Sequence, residues 1–449
     1  MATSEFNVEF TTKSVVKASD FSREPYIIHF SNLDILSGRS PVTILFFYAK
    51  PQVENFSSIL SVIKTSLSKV LNHYHPFAGR IVPNPVRNEP ELLCNNEGVE
   101  VMEAYASIDL ASLNFYDINK TLKNLLVQTP LDIPLRFQVT SFTCGGFSIS
   151  LDFDHIIADA AAFAMFLVSF CQIAREKPIS VYPNHERSNF QPRSPPTYGP
   201  LLDRNFTKCT VEMILSAPKS YDISVKRLYF IESSDVLKLQ EVASENGESR
   251  TKHEAFSAYL WRLVASALKE SDTRCNMGWM VDGRGKMVSK AMSNFIGNVV
   301  SMAVGEADVE ELNQATLSDV ASLAHKAITE VTNEKHFLDL IDWIECHKPG
   351  MFAAKMVLGI TGPAVIVSSA RHFPLTQMDL GFGIPVLGTC YSAIPSLGAA
   401  YINPQPSSRG DGSWVVYGMV WPELASALES DANNIFKPIT AKHLGLKVV

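Results

Sequence analysis

A histidine and an aspartate stand four positions apart in the stretch His155-Ile-Ile-Ala-Asp159. A neutral imidazole keeps a lone pair on one ring nitrogen, so such a histidine could remove a proton from a hydroxyl or an amine near neutral pH. The spacing alone is weak evidence for a catalytic site, because about half a match is expected by chance in a chain with 11 histidines. A buried histidine followed by an aspartate that only caps a helix is therefore an open alternative.

The residues around this pair predict a strand followed by a helix. Before His155, apolar and polar residues alternate from Phe147 to Asp154, the period of a strand with one apolar face. After Asp159, apolar residues recur at helical spacing as far as Ile173. The histidine is thus predicted to lie where a strand leaves its sheet, a position at which side chains are often presented to ligands.

The rest of the chain predicts two halves that each mix strands and helices. The proline-rich stretch Tyr182–Pro200 excludes a helix or an interior strand and predicts an exposed, extended crossover. We predict an N-terminal domain at 1–181, a linker at 182–210 and a C-terminal domain at 211–449. The clearest helices and strands are Ser57–Leu71, Glu254–Leu268 and Leu317–Thr332, and Val42–Tyr48, Ala364–Ser369 and Ser413–Val420, respectively. Because the two types do not alternate strictly, the predicted fold class is α/β with mixed sheets.

Composition narrows the function classes. The 449 residues include 39 basic and 46 acidic ones, a net charge of -7 that argues against a nucleic-acid partner. Seven cysteines without a CxxC pair predict free thiols in a reducing compartment. No apolar run reaches the length of about 18 residues that a membrane span needs. The N-terminus also lacks the order of a signal peptide, so we expect a cytoplasmic protein without a membrane partner.

Three other chemistries lack their sequence signals. A serine hydrolase would need a GxSxG segment, which does not occur. A zinc enzyme would need HExxH or paired Cys and His spacings, and no metal site is predicted. A nicotinamide enzyme would need GxGxxG after a strand, but the stretch Gly381–Val386 lacks the third glycine.

Five segments together resemble the plant BAHD acyl-CoA-dependent acyltransferases. His155–Asp159 resembles the family's HxxxD motif, and Asp379–Gly383, Asp-Leu-Gly-Phe-Gly, resembles its DFGWG motif. The other three occur in the family's order and resemble its YxPxAGR, VDxR and YFGN segments: Tyr74–Arg80, Val281–Arg284 and Asn294–Asn298. Five ordered motifs spread over the whole chain are far more specific than any one of them.

The resemblance implies a fold and a set of partners. The family has two domains that are similar to chloramphenicol acetyltransferase and are joined by a long crossover loop, which coincides here with the proline-rich stretch. Acyl-CoA is implied as a co-substrate, with no cofactor bound permanently. The implied partners are an acyl-CoA donor and a small alcohol or amine acceptor, and a monomer is expected.

The resemblance also assigns roles to residues at the HxxxD motif. His155 would be the catalytic base, which deprotonates the acceptor and then protonates the leaving CoA thiolate. Asp159 would turn away from the substrate and form an ion pair with Arg284. These two charged residues would therefore be structural at the site.

Further positions follow from the other motifs. Asp379, Gly381 and Gly383 would form a structural loop behind the CoA channel, with the glycines needed for positive φ or for close backbone approach. Thr251 and Lys252 match the family position near the pantetheine and phosphate of CoA, and the exposed start of a helix is an equally good interpretation of them.

The chain also departs from the family's pattern. Leu380 and Phe382 replace the Phe and Trp of DFGWG, so the loop loses aromatic bulk. Ala370 stands where family members that use shikimate carry Trp, which argues against a shikimate or quinate acceptor. Softer similarities favour an aryl alcohol such as coniferyl alcohol. Transfer to an amine, and an idle relative that only binds a small molecule, are the alternatives.

Overall fold

The computed structural model describes residues 6–52, 55–127, 130, 132–216, 221–287, 292–369, 373–391 and 398–447. The first part of the chain, up to the proline-rich stretch, contains strands β1–β8 and helices α1–α4. The strands are β1 (Val8–Val16), β2 (Tyr26–His29), β3 (Pro41–Tyr48), β4 (Arg80–Asn84), β5 (Glu89–Cys94), β6 (Val99–Ala106), β7 (Leu135–Phe142) and β8 (Phe147–Asp154). The helices are α1 (Asn32–Ser37), α2 (Phe56–Val70), α3 (Ile118–Thr121) and α4 (Ala160–Ala174).

The second part contains strands β9–β18 and helices α5–α12. The strands are β9 (Phe206–Cys209), β10 (Val225–Ile231), β11 (Arg274–Asp282), β12 (Val300–Asp308), β13 (Met351–Ala354), β14 (Ala364–Val367), β15 (Leu387–Tyr391), β16 (Ala400–Pro406), β17 (Trp414–Val420) and β18 (Lys437–Pro438). The helices are α5 (Leu201–Asn205), α6 (Val211–Leu215), α7 (Ser233–Ala243), α8 (Lys252–Ser266), α9 (Val309–Gln314), α10 (Leu317–Val331), α11 (Glu334–His347) and α12 (Pro422–Glu429).

Most of these strands belong to two large sheets. The first has the order β1-β6-β7-β8-β3-β15, and the second has the order β12-β11-β14-β16-β17-β10-β18. Each sheet mixes antiparallel pairs with parallel ones, namely β6 with β7 in the first and β14 with β11 and β16 in the second. The predicted mixed α/β class is therefore confirmed. Strand β15 pairs with β3, so the first sheet takes a strand from late in the chain. The predicted domain boundaries stay a prediction.

The predicted helices and strands agree with α2, α8, α10, β3, β14 and β17 to within about two residues at each end. Local signals explain the agreement. Asn55, Thr251 and Thr316 precede the three helices, and each side chain accepts a hydrogen bond from a backbone N–H of the first turn. In α2, one apolar stripe that includes Ile59 and Ile63 is buried.

Strand β8 has the predicted apolar face, and its polar face, which the alternation did not predict to be buried, is buried as well. The polar side chains that alternate along it are nearly inaccessible to solvent: Ser148, Ser150 and Asp152. The neighbouring strand β3 supplies a hydroxyl from Thr43, which donates to Asp152 over 2.7 Å. On the same face of the sheet, the ammonium of Lys226 from β10 lies 4.3 Å from the ring centre of Tyr391. A strand of the second sheet therefore reaches this face of the first sheet at β15.

The proline-rich stretch is irregular, as predicted, with one short 3₁₀ turn at Ser188–Phe190. It is not exposed throughout, which corrects the prediction. Arg187 is 8% exposed and Phe190 is 2% exposed. Asn184 exchanges backbone hydrogen bonds with Asn294 and Ile296, so the stretch is anchored on the later part of the chain. Within the described residues, no helix has the length and apolar content to cross a membrane.

Candidate active site

His155 is held at the end of β8 by two segments that are distant in sequence. Its backbone N–H donates to the carbonyl oxygen of Ser40, just before β3, over 2.8 Å. Its Nδ1 lies 3.1 Å from Oδ1 of Asn298. The residue is half-buried. A hydrogen bond to Asn298 thus fixes the position of one ring nitrogen, Nδ1.

Asn298 determines which ring nitrogen carries the proton. Its Nδ2 lies within hydrogen-bond distance of the carbonyl oxygens of His155 (2.9 Å) and Ile156 (3.1 Å) and of Oδ1 of Asp34 (3.0 Å). All three are acceptors, so the NH₂ group must face them and the amide oxygen must face the imidazole. An amide oxygen only accepts. Nδ1 of His155 therefore carries the proton, and in the neutral ring Nε2 keeps the lone pair that could receive a proton from a substrate.

Asp159 makes a helix cap and an ion pair at the same time. Its Oδ1 accepts the backbone N–H of Ala162 (2.9 Å), and its Oδ2 accepts from Nη1 of Arg284 (2.7 Å) and from the backbone N–H of Val299 (2.9 Å). Both charged side chains are buried, with exposed fractions of 6% for Arg284 and 2% for Asp159. Nη2 of the arginine donates to the carbonyl oxygen of Gly297 over 2.9 Å. The pair therefore ties the start of α4 to the segment that carries Asn298.

Two further carboxylates, those of Asp154 and Asp282, belong to the charged groups around the HxxxD segment. Burial raises the pKa of Asp154, the residue before the histidine, although Nε of Arg39 donates to it over 2.5 Å. Burial lowers the pKa of Arg284, but the carboxylates of Asp159 and Asp282 outweigh this effect and raise the pKa above its usual value. Arg284 therefore stays charged in its buried position.

Asp34 supports both the backbone and the side chain of Asn298. The aspartate is fully buried. Its Oδ1 accepts from the backbone N–H of Asn298 (2.8 Å) and from its side-chain amide, while its Oδ2 accepts from the N–H and hydroxyl of Ser31 and from Nε of Arg187 (3.2 Å). Every oxygen of this carboxylate is thus engaged. A chain of contacts runs from Arg187 through Asp34 and Asn298 to the imidazole.

The loop Asp379–Gly383 folds around its own aspartate. Oδ1 of Asp379 accepts the backbone N–H groups of Gly381 (2.8 Å) and Gly383 (3.0 Å). The two glycines have φ of 94° and 89°, and a Cβ on either would meet no atom within 4 Å. Positive φ, not close approach, is therefore the reason for glycine here. Phe382 is half-buried and lies edge-on to Phe147, with 6.0 Å between the ring centres.

A groove passes beside the Asp159–Arg284 pair. It consists of a cavity of about 630 Å³ that begins at Thr251 and a cavity of about 500 Å³ along α4, which share Asp282 and Gly285 in their walls. Thr251 lines the groove, but its hydroxyl is engaged with Glu254 in a capping box. Lys252 is not among the residues that line it.

The groove side of α4 is apolar. The half-buried residues on this side recur at helical spacing: Ala161, Ala164, Met165 and Val168. Because the opposite side of α4 also packs apolar residues in the core, the helix is apolar all round. Such a face at the surface favours coverage by a ligand with apolar parts.

Sequence reasoning missed the roles of two residues. Asn298 was part of a recognised motif but received no role, and Asp34 was not singled out. The only local sequence signal for Asp34 is the capping box that starts at Ser31 and predicts the start of α1. Ala370, on which the argument against shikimate rests, lies outside the described residues. Within those residues, no group of three or more His, Cys, Asp or Glu side chains could hold a metal ion.

A family model described as the Transferase family matches residues 6–434. The chain belongs to this family, the BAHD acyltransferases. It is accordingly an acyl-CoA-dependent transferase with acyl-CoA as its co-substrate. The recognition made from the five motifs is confirmed.

Relatives of this BAHD chain include enzymes named for different acceptors. The chain is 29% identical to the fatty alcohol:caffeoyl-CoA acyltransferase of Arabidopsis thaliana over 396 residues, 85% of this chain and 89% of that protein. It is 28% identical to anthranilate N-benzoyltransferase protein 1 of Dianthus caryophyllus over 386 residues, 79% of this chain and 81% of that protein. The crystal structure of vinorine synthase matches 97% of this chain and 100% of its own length with a TM-score of 0.73 and 20% identity. This likeness confirms the predicted fold with two domains similar to chloramphenicol acetyltransferase.

Proposed function

We propose that this BAHD enzyme transfers an acyl group from acyl-CoA to a hydroxyl group of a plant specialised metabolite, an aryl or phenylpropanoid alcohol. The observation that carries the proposal is the hydrogen bond between Asn298 Oδ1 and His155 Nδ1, because it leaves Nε2 as the basic atom. The name of the fatty alcohol:caffeoyl-CoA relative supports a hydroxyl as the acceptor group.

In the proposed reaction, Nε2 of His155 takes the proton of the acceptor hydroxyl while its oxygen attacks the thioester carbonyl. The C–S bond then breaks, and the imidazolium returns the proton to the CoA thiolate, so histidine is regenerated. No acyl-enzyme is formed, because the two substrates react while both are bound. Asp159 and Arg284 hold the histidine's segment in place and do not touch the reacting atoms.

Acyl-CoA is proposed to lie in the groove that begins at Thr251, with Lys252 beside it at the start of α8 but outside the groove lining. The capping box leaves the backbone and methyl group of Thr251, not its hydroxyl, as the surface offered to a ligand. The loop of Asp379, Gly381 and Gly383 is proposed to be structural. A monomeric, cytoplasmic enzyme is part of the same proposal, and light scattering on the purified protein tests the monomer.

A panel assay tests the function. Purified protein is mixed with pooled acyl-CoAs and pooled aryl, phenylpropanoid and aliphatic alcohols. Thiol release is monitored, and the products are then identified by mass spectrometry. We expect CoA release together with an ester. Amides with an amine panel would instead support N-acyl transfer, the alternative suggested by the benzoyltransferase relative. Absence of thiol release with every pool, while acyl-CoA still binds, would support the idle small-molecule-binding alternative.

A further inference from the structure

A second cleft lies apart from the groove and from His155. It has a volume of about 740 Å³ and is open to solvent. Its walls come from three parts of the chain: the β2 region, the turn after α2, and the first half of the proline-rich stretch. None of His155, Asp159, Arg284 and Thr251 lines it. Its volume is within the range of small-molecule sites.

The walls of this cleft are rich in nitrogen groups. Two arginines, Arg23 and Arg187, line it together with four of the chain's 11 histidines: His29, His73, His75 and His185. Glu186 is the acidic residue in the lining, and it is exposed. Arg23 is also exposed, whereas Arg187 is buried behind the surface of the cleft.

Three nitrogen atoms of the lining residues are buried without a hydrogen-bond partner among the described residues. They are Nη2 of Arg187, Nδ1 of His75 and Nδ1 of His185. The hydroxyl of Tyr26 hydrogen-bonds Nε2 of His75. If this hydroxyl donates, Nδ1 of His75 carries the proton, so this atom and Nη2 of Arg187 are both unused donors. Buried donors without a partner are uncommon in proteins, and a bound acceptor would satisfy both of them.

The electric field inside the cleft is positive. Burial, with smaller effects of the guanidinium groups of Arg23 and Arg187, lowers the pKa of His75 to about 3 and that of His185 to about 4, and His185 itself also contributes to the lowering at His75. The part of this lowering that comes from the two guanidinium groups, unlike the part that comes from burial, favours an anion at the same place. Asp34 neutralises part of the charge of Arg187 through its hydrogen bond to Nε. Among the described residues, the contacts of Asp34 do not include the exposed guanidinium of Arg23, so Asp34 does not neutralise the charge of Arg23 in this way.

From the cavity, its two guanidinium groups and its unused donors, we infer that this cleft binds a small oxyanion with phosphate or carboxylate oxygens. Exposed Arg23 makes the ionic contact, and Nη2 of Arg187 and Nδ1 of His75 donate hydrogen bonds once the side chains adjust. The cleft lies outside the proposed acyl-transfer centre, although Arg187 in its wall also contacts Asp34, which supports Asn298. Its test therefore needs no turnover, and it can fail or succeed independently of the proposed reaction.

Titration calorimetry with sodium phosphate and with sodium citrate, at constant ionic strength set by sodium chloride, measures the binding. The two probes distinguish phosphate from carboxylate chemistry. We expect saturable binding of at least one probe to the wild-type protein. Arg23→Gln should weaken it about five-fold, as expected for the loss of one exposed ionic contact. Arg23→Lys keeps the charge and should restore most of the affinity.

Arg204→Gln is the matched control, because Arg204 is an exposed arginine in α5 outside the cleft. It should bind the probe like the wild type. Arg187 is not substituted, since its loss would leave the buried carboxylate of Asp34 without its cation. Imidazole NMR signals locate the ligand, and those of His75 and His185 should shift on binding. Absence of saturable binding, equal affinity in Arg23→Gln and wild type, or shifts confined to histidines outside the cleft would overturn the inference.

Discussion

The junction at Asp159 and the loop at Asp379 both use an aspartate that accepts backbone N–H groups, but they use it in different surroundings. Asp159 is 2% exposed, and its second oxygen lies 2.7 Å from a nitrogen of Arg284. Asp379 is 28% exposed, and its second oxygen is 3.7 Å from Nη1 of Arg175. The first aspartate joins segments that are distant in sequence, whereas the second mainly closes a turn of its own residues.

This difference predicts different losses in the free energy of unfolding when either aspartate loses its cationic partner. Removing one partner of a buried ion pair leaves an uncompensated charge and typically costs about 3–5 kcal/mol. An exposed ion pair is usually worth about 0–1 kcal/mol. The HxxxD junction should therefore depend on the whole fold, while the loop Asp379–Gly383 should respond locally. Four substitutions test the contrast.

His155→Ala should have the largest effect on activity and little effect on stability. Loss of the proposed base should lower kcat by about 10²–10⁴-fold, because a positioned general base contributes about that much. The side chain is half-buried and is outside the Asp159–Arg284 pair, so the free energy of unfolding and the affinity for CoA should change little. Steady-state kinetics, denaturant unfolding and CoA titration measure the three quantities. Near wild-type turnover would refute the role of the histidine.

Arg284→Ala should have the largest effect on stability. It leaves Asp159 buried without its cation, so we expect a loss of about 3–5 kcal/mol in the free energy of unfolding. Asp159→Asn removes the same pair, and the double variant completes a thermodynamic cycle. The double variant should lose clearly less than the sum of the single losses. Simple additivity would mean that the two side chains are not coupled.

Asn298→Ala should lower kcat while leaving KM for acyl-CoA nearly unchanged. The imidazole would lose the acceptor that keeps the proton on Nδ1 and orients the ring, and misplacement of a reacting group by about 1 Å can cost about 10²-fold. Asn298 also hydrogen-bonds Asp34, so stability must be measured in parallel. Ser301→Ala, a substitution at another buried polar residue after the motif, serves as the control for packing effects. An unchanged kcat in a folded Asn298→Ala enzyme would contradict the orienting role.

Gly381→Ala should have the smallest effect of the four. Alanine at a φ of 94° is strained and should cost about 1–2 kcal/mol, although there is space for its Cβ. Gly199→Ala is the control, because this glycine lacks positive φ and its added Cβ would make only an ordinary contact at 3.6 Å. Thermal unfolding compares the two variants. A loss of activity in Gly381→Ala that exceeds its loss of stability would show that the loop reaches the substrates.

Particular residues show how far the sequence could be interpreted. The strand that ends at Asp154 and the helix that Asp159 caps follow from alternation, helical spacing and a capping side chain, all of which act between near neighbours. The buried polar face of β8 could not be predicted in this way. Asp152 and Thr43 are 109 positions apart in the sequence and meet on neighbouring strands, so their burial depends on the tertiary structure.

The sequence by itself determined the position of His155 at a strand exit and the family through its ordered motifs. For Gly381 and Gly383 it left positive φ and close backbone approach open, and the structure decided for positive φ. Only the tertiary structure decided which nitrogen of the histidine is basic. That choice depends on Asn298, which is 143 positions away in the sequence, and on Asp34, which orients the asparagine. Local patterns are determined by the interactions of near neighbours along the chain. A hydrogen-bond donor in one segment meets its acceptor in another only after the sheets have packed.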